Sequence, residues 1–330
     1  MDLEILALAT LAPSLLLLWY FRSRDVYPEP AGVVWSTFGL GVLTAAPVLA
    51  FALPLGGLVP PTADPLVQGL YSAFVLAAIP EEFFKWVVMV RYARRHSAFD
   101  EPMDGLVYGV AASLGFATLE NVLYVASGGL SVALMRSITA IPAHATMGAI
   151  MGYYVGQAHF TPARTRALLW RAYWVPMVIH GLYDFPLLGA RAAAESSQSS
   201  AQVGWLLLLV PVILLVAIVW SLRLSRGLRA LQLVGGLDAA AAAIAPALRP
   251  GARRASPVWW LVVIFGGALI TGGALVGLVM LAGLAEGEVG AGDAALAGGL
   301  LGALPAGIGA LLFRYGVRRL NQHDVVEATR

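Results

Sequence analysis

Ile79-Pro80-Glu81-Glu82-Phe83-Phe84-Lys85-Trp86-Val87-Val88-Met89-Val90 decides the fold. Two glutamates and the chain's single lysine sit inside an apolar stretch, 67–90, that is long enough to cross a bilayer. Outward from it, eight more stretches of similar length read as spans, at about 3–21, 33–55, 105–127, 131–157, 172–190, 203–222, 258–283 and 294–313. The expectation is an all-α polytopic integral membrane protein of about nine transmembrane helices. Composition agrees. Of 330 residues, 59% are hydrophobic and 12% charged, too few charges to clothe a soluble globule of this size. A soluble enzyme, a disordered chain and a nucleic-acid binder are excluded as classes, and no basic run forms a nucleic-acid patch. With no cysteine, disulfide frameworks, thiol catalysis and Cys-ligated zinc are excluded as well.

Arginine placement sets the orientation. With the N-terminus outside, 18 of the 21 basic residues fall in cytoplasmic loops or the C-terminal tail. The first span has no basic residues before it, and Arg22 and Arg24 follow it, so it reads as a retained span and not a signal peptide. An N-out/C-in, multi-pass protein of the cytoplasmic membrane is expected. Two units follow: a catalytic core over 1–190, and a three-span packing region over 191–330 with an Arg/Ala-rich cytoplasmic loop at 223–257. Gly273-xxx-Gly277 and Gly298-xxx-Gly302 provide small-residue faces for close helix approach in that region.

An ionisable side chain at membrane depth is costly and marks a functional site by default. Here such residues are confined to spans three to six: Glu81, Glu82 and Lys85; Glu120 and Asn121; His144; His180 and Asp184. At ~1.5 Å per residue, Glu81, Glu120, His144 and His180 lie within ~6 Å of their span midpoints. Scattered structural polar groups would not need to share that layer. Glu81 and Lys85 are four residues apart on one face, as are His180 and Asp184, which places Asp184 to orient the imidazole. Pro80, Pro142 and Pro176 precede motif residues and bend their helices beside a hydrated cavity. Arg136, near the outer end of its span, is expected to snorkel to the headgroups.

This set suits water activation, by either of two routes. In one, Glu120, His144 and His180 hold a divalent metal, zinc being the first choice, and Glu81 is the general base. In the other, no metal is needed: Glu81 activates water, with Glu82 in support, while His180 and Asn121 stabilise the oxyanion. Both end in hydrolysis, and an amide bond is the expected target. The rival class is a non-catalytic scaffold or a proton- or ion-coupled transporter using the same buried groups. No internal repeat of the transporter kind is visible.

Four motifs in order resemble the PrsW family of intramembrane proteases: Glu-Glu-x-x-Lys at 81–85, Phe-x-x-x-Glu-Asn at 116–121, His144 with Gly148, and His180-x-x-x-Asp184. Flanking stretches match too, Asp25-Val26-Tyr27-Pro28-Glu29-Pro30 and Asp104-Gly105-Leu106-Val107-Tyr108-Gly109. That family is similar in turn to the CAAX prenyl proteases. The resemblance implies that Glu81 and Glu82 are the paired catalytic glutamates and His180 the late catalytic histidine. Asp184 stands where the prenyl proteases have Asn, and Glu120 where they have His. It further implies a membrane-anchored protein substrate, such as an anti-sigma factor, cleaved within the lipid bilayer.

Overall fold

The computed structural model describes residues 3–58, 64–195 and 201–243, with a short run at 306–312 and isolated positions elsewhere between 292 and 315. Among these residues the fold is all helical, without a strand. The helices are α1 (Leu3–Ser23), α2 (Ala31–Leu43), α3 (Ala45–Leu55), α4 (Pro65–Leu70), α5 (Ile79–Arg91), α6 (Pro102–Ile138), α7 (Ala140–Phe160), α8 (Thr165–Glu195), α9 (Ala201–Leu206) and α10 (Leu209–Ala243). Among the described residues, three stretches are long and apolar enough to cross a membrane: Ala31–Leu55, Pro102–Ala126 and Gly204–Val234. The last two expected spans, with their Gly-xxx-Gly pairs, lie outside the described residues apart from the run at 306–312 and isolated positions.

The first half of α6 is the axis of the bundle. Residues 101–118 are buried without interruption, ringed by α1, α2 and α7. Its start is fixed by Pro102 in the first turn and by reciprocal capping between Glu101 and Asp104. Glycines allow the neighbouring backbones to approach. A Cβ on Gly109 would stand 2.2 Å from the Gly148 carbonyl oxygen, and one on Gly152 would stand 1.9 Å from that of Gly105. Gly115 meets the Phe38 carbonyl of α2 in the same way. These contacts form the small-residue seam characteristic of helices packed in lipid.

α6 does not run straight. Gly129 has φ +67°, in the left-handed region that glycine tolerates, and the chain breaks there. Sixteen residues of straight helix would separate Glu120 from Arg136 by about 24 Å, yet their side chains are 2.8 Å apart. The helix therefore folds back on itself, and α7 continues the returning arm.

α10 runs to Ala243, so the first part of the stretch expected as a cytoplasmic loop (223–257) is helical; 244–257 lie outside the described residues. Val210 and Leu214 of α10 pack with Ala143, Met147 and Tyr183, so this helix covers the site-bearing helices directly.

Candidate active site

Four helices carry the site. α5 supplies Glu81, Glu82 and Lys85 from its first two turns, following a π-helical stretch, Tyr71–Ala78. Pro80 has no N–H to give to the preceding turn, and the wider π winding accommodates that junction. α6 supplies Glu120, Asn121 and, from its returning arm, Arg136; α7 supplies His144; α8 supplies His180 and Asp184.

Lys85 is at the centre. Its Nζ lies 3.2 Å from Glu81 Oε2, 2.8 Å from Glu82 Oε1 and 3.2 Å from His144 Nδ1, and it stands 4.3 Å over the Phe116 ring. An ammonium can only donate, so His144 accepts at Nδ1 and carries its proton on Nε2, which donates to Glu120 Oε2 at 2.9 Å. His180 faces carboxylates at both nitrogens: Nδ1 is 2.9 Å from Glu82 Oε1 and Nε2 is 3.1 Å from Asp184 Oδ2. Its Nε2 is 3.9 Å from Glu81 Oε2. A doubly protonated ring satisfies that arrangement, as does a metal in place of one proton.

Arg136 departs from expectation. It does not snorkel to headgroups; the reversal at Gly129 brings it back into the site. There its Nη2 donates to Glu120 Oε2 at 2.8 Å, its Nε donates to Asn121 Oδ1 at 3.0 Å, and its guanidinium lies 4.1 Å over the Tyr124 ring. Asn121 is fully buried, and its amide donates to the Thr10 carbonyl of α1 at 3.2 Å. Both ends of that side chain are thus engaged away from Glu81 and His180.

Two cavities meet at Glu120. A cleft of about 570 Å³ is lined by Glu81 and Glu120, by Ala52 of α3, by Leu76 of the π stretch and by Arg191 and Glu195 at the far end of α8. A smaller cavity of about 200 Å³ is lined by Glu120, Arg136, His144, His180 and Asp184. Glu81 reaches the larger cleft; Glu82, with no exposed surface, sits behind it.

The residues present fit a metal. Glu81, Glu82, His144 and His180 are all buried, and each can bring one ligand atom within 4.8 Å of the others. Glu82 Oε2 is buried without a hydrogen-bond partner. Two carboxylates and two imidazoles suit zinc. Glu120, expected among the ligands, is held instead by Arg136 and His144, and Lys85 Nζ touches three of the four candidate donors.

Comparisons with known proteins bear on the family of the chain. Residues 29–220 match the family model described as PrsW family intramembrane metalloprotease. The chain is 40% identical over 183 residues to Protease PrsW of Geobacillus kaustophilus (strain HTA426), covering 54% of this chain and 78% of the relative. It is 34% identical over 219 residues to Protease PrsW of Oceanobacillus iheyensis, covering 66% of this chain and 94% of that relative. With Protease PrsW of Bacillus subtilis (strain 168) the figures are 37% over 186 residues, 54% and 81%. No solved structure matches. All four motif helices lie within the matched residues, and the chain belongs to the PrsW family of intramembrane proteases.

Proposed function

We propose that the protein is a multi-pass endopeptidase of the cytoplasmic membrane, N-out/C-in, that hydrolyses peptide bonds of membrane-anchored proteins at the Glu81 wall of the large cleft. The observation that carries this reading is that Glu81 lies between a cleft on one side and the buried Lys85 ammonium and His180 imidazole on the other. Glu81 takes a proton from a water in the cleft, and the water oxygen attacks the substrate carbonyl carbon. Lys85 and His180 stand on the buried side of Glu81 and do not line the cleft, so they hold its carboxylate in position and do not touch the carbonyl oxygen. Glu81 then returns the proton to the leaving amine. Glu82 holds Lys85 and His180 in place. Asp184 orients His180, and Glu120, pinned by Arg136, orients His144. Asn121 positions Arg136 and ties α6 to α1. If a zinc-type ion is bound, Glu82, His144 and His180 would hold it, leaving Glu81 as the base and one position for water, and it would supply Lewis acidity and an activated water.

The substrate must present an extended segment, because a helix shields its own carbonyls. Residues 1–190 carry all of these groups, and the division from 191–330 is functional; in packing, α10 covers the core.

The test compares N-terminal peptide maps of membranes expressing wild type or Glu81→Gln at equal levels. New N-termini in or near membrane spans are expected with wild type alone, since Gln keeps the shape but cannot take the proton. Identical maps from the two would sink the assignment of Glu81 as base and favour a binding role.

A further inference from the structure

The two flanking sequence stretches singled out at the start, 25–30 and 104–109, take no part in the site above. They meet elsewhere, at the end of the bundle where α1 finishes and α6 begins. Four carboxylates converge there, Asp25 and Glu29 from the loop between α1 and α2, and Glu101 and Asp104 from the start of α6. None is more than 5% exposed. Carboxylate oxygens of Asp25, Glu29 and Asp104 can lie within 4.8 Å of one another.

The protein's own donors cover only part of this charge. Gln232 of α10 donates to Asp25 Oδ1 at 2.7 Å and to Glu101 Oε1, and the Tyr27 N–H donates to Asp25 Oδ1 at 3.0 Å. Tyr108 donates to Glu29 Oε2. The N–H groups of Asp100 and Glu101 both reach the same oxygen, Asp104 Oδ2, at 2.7 Å. The arginines bonded to this loop spend guanidinium donors on main-chain carbonyls, Arg22 on that of Glu29 and Arg229 on that of Arg24. Three buried oxygens are left without a hydrogen-bond partner: Asp25 Oδ2, Glu101 Oε2 and Asp104 Oδ1. Carboxylates brought together out of water with unused oxygens must be neutralised, by protons or by a cation held among them.

We propose that Asp25, Glu29 and Asp104, with Glu101 beside them, bind a hard divalent cation of the calcium or magnesium kind, separate from the Glu81–His180 cluster. An all-oxygen donor set selects such ions over zinc, which suits the nitrogen-containing set of the other cluster. The ion joins the α1–α2 loop to the start of α6, and Gln232 extends the link to α10. Its role is structural, since α6 is the helix that carries Glu120.

The test uses purified full-length protein in detergent, stripped by a chelator and titrated with Mn²⁺ followed by electron paramagnetic resonance. Wild type, Glu82→Gln and Asp104→Asn are compared, with Glu29→Gln as the alternative should Asp104→Asn fail to fold. The expected result is a bound Mn²⁺ that Glu82→Gln retains and Asp104→Asn or Glu29→Gln weakens at least tenfold. Ca²⁺ or Mg²⁺ should displace it and raise the melting temperature of wild type. The proposal is overturned if Mn²⁺ binding survives both Asp104→Asn and Glu29→Gln, or if wild type binds no Mn²⁺ and does not respond to Ca²⁺ or Mg²⁺. A carboxamide variant that melts higher than cation-free wild type while wild type binds no ion would equally overturn it, showing shared protons among the carboxylates.

Discussion

Glu120 is a carboxylate between two partners of different kind. Arg136 neutralises it at 2.8 Å, and His144 donates to the same oxygen at 2.9 Å. Removing one partner of a buried ion pair leaves the other charge uncompensated, which costs about 3–5 kcal/mol for fully buried pairs. Arg136 and Glu120 retain 15% and 19% of their side-chain exposure, so Arg136→Gln is expected to cost about 2–3 kcal/mol, below that range. It should lower the melting temperature in detergent and, by freeing His144 to turn, reduce cleavage; an unchanged melting temperature would place the pair among ornamental surface bridges. The sequence made Glu81, Glu82, Glu120, His144, His180 and Asp184 legible because burying an ionisable group is costly enough for its mere presence in a span to carry information. Arg136 was not legible in the same way. Placed near the outer end of the span at 131–157, it had headgroups within reach, and nothing in its spacing says that it turns inward to Glu120 of the preceding span.

The seam between α6 and α7 fixes where His144 stands relative to Glu120. Gly152 faces backbone, which cannot move aside as a flexible side chain can. Gly152→Val is therefore expected to separate the two helices and destabilise the protein by about 3 kcal/mol or more. Gly39→Ala, whose added methyl meets nothing within 4 Å, should leave the melting temperature unchanged or slightly higher. Equal melting of the two variants would mean that the seam is not close-packed. Helix positions were largely readable, because bilayer thickness dictates a length that hydropathy reveals. The seam itself was not singled out. Gly-xxx-Gly spacing recurs along this chain, and spacing alone does not say which glycine faces which backbone. The helical course of 223–243 was missed for another reason: a helix that gains charge as it leaves the apolar stretch looks like a loop to a hydropathy reading.

Across the whole molecule, the large cleft runs from Glu81 to the far end of α8 and is the route by which an extended peptide would reach the base. Ala52, partly exposed on its wall, can be enlarged without disturbing the core. Ala52→Trp is expected to reduce substrate cleavage at least tenfold while the melting temperature stays within a degree or two, as a small surface change should. Undiminished cleavage would direct attention to the smaller cavity as the entry path. The existence of a cavity was foreseeable, since polar side chains at depth and three prolines require water or protein around them. Its shape was not, being the space left between α3, the π stretch, α6 and α8, helices distant in sequence.

The reversal at Gly129 bears on how such a protein enters its membrane. Glu120 and Arg136 stand on two arms of one hairpin, sixteen residues apart, and a loop that short closes at small entropic cost. Their charges can cancel within the hairpin before another helix arrives. Two charged residues can thus be delivered to the lipid as a neutral pair during biogenesis.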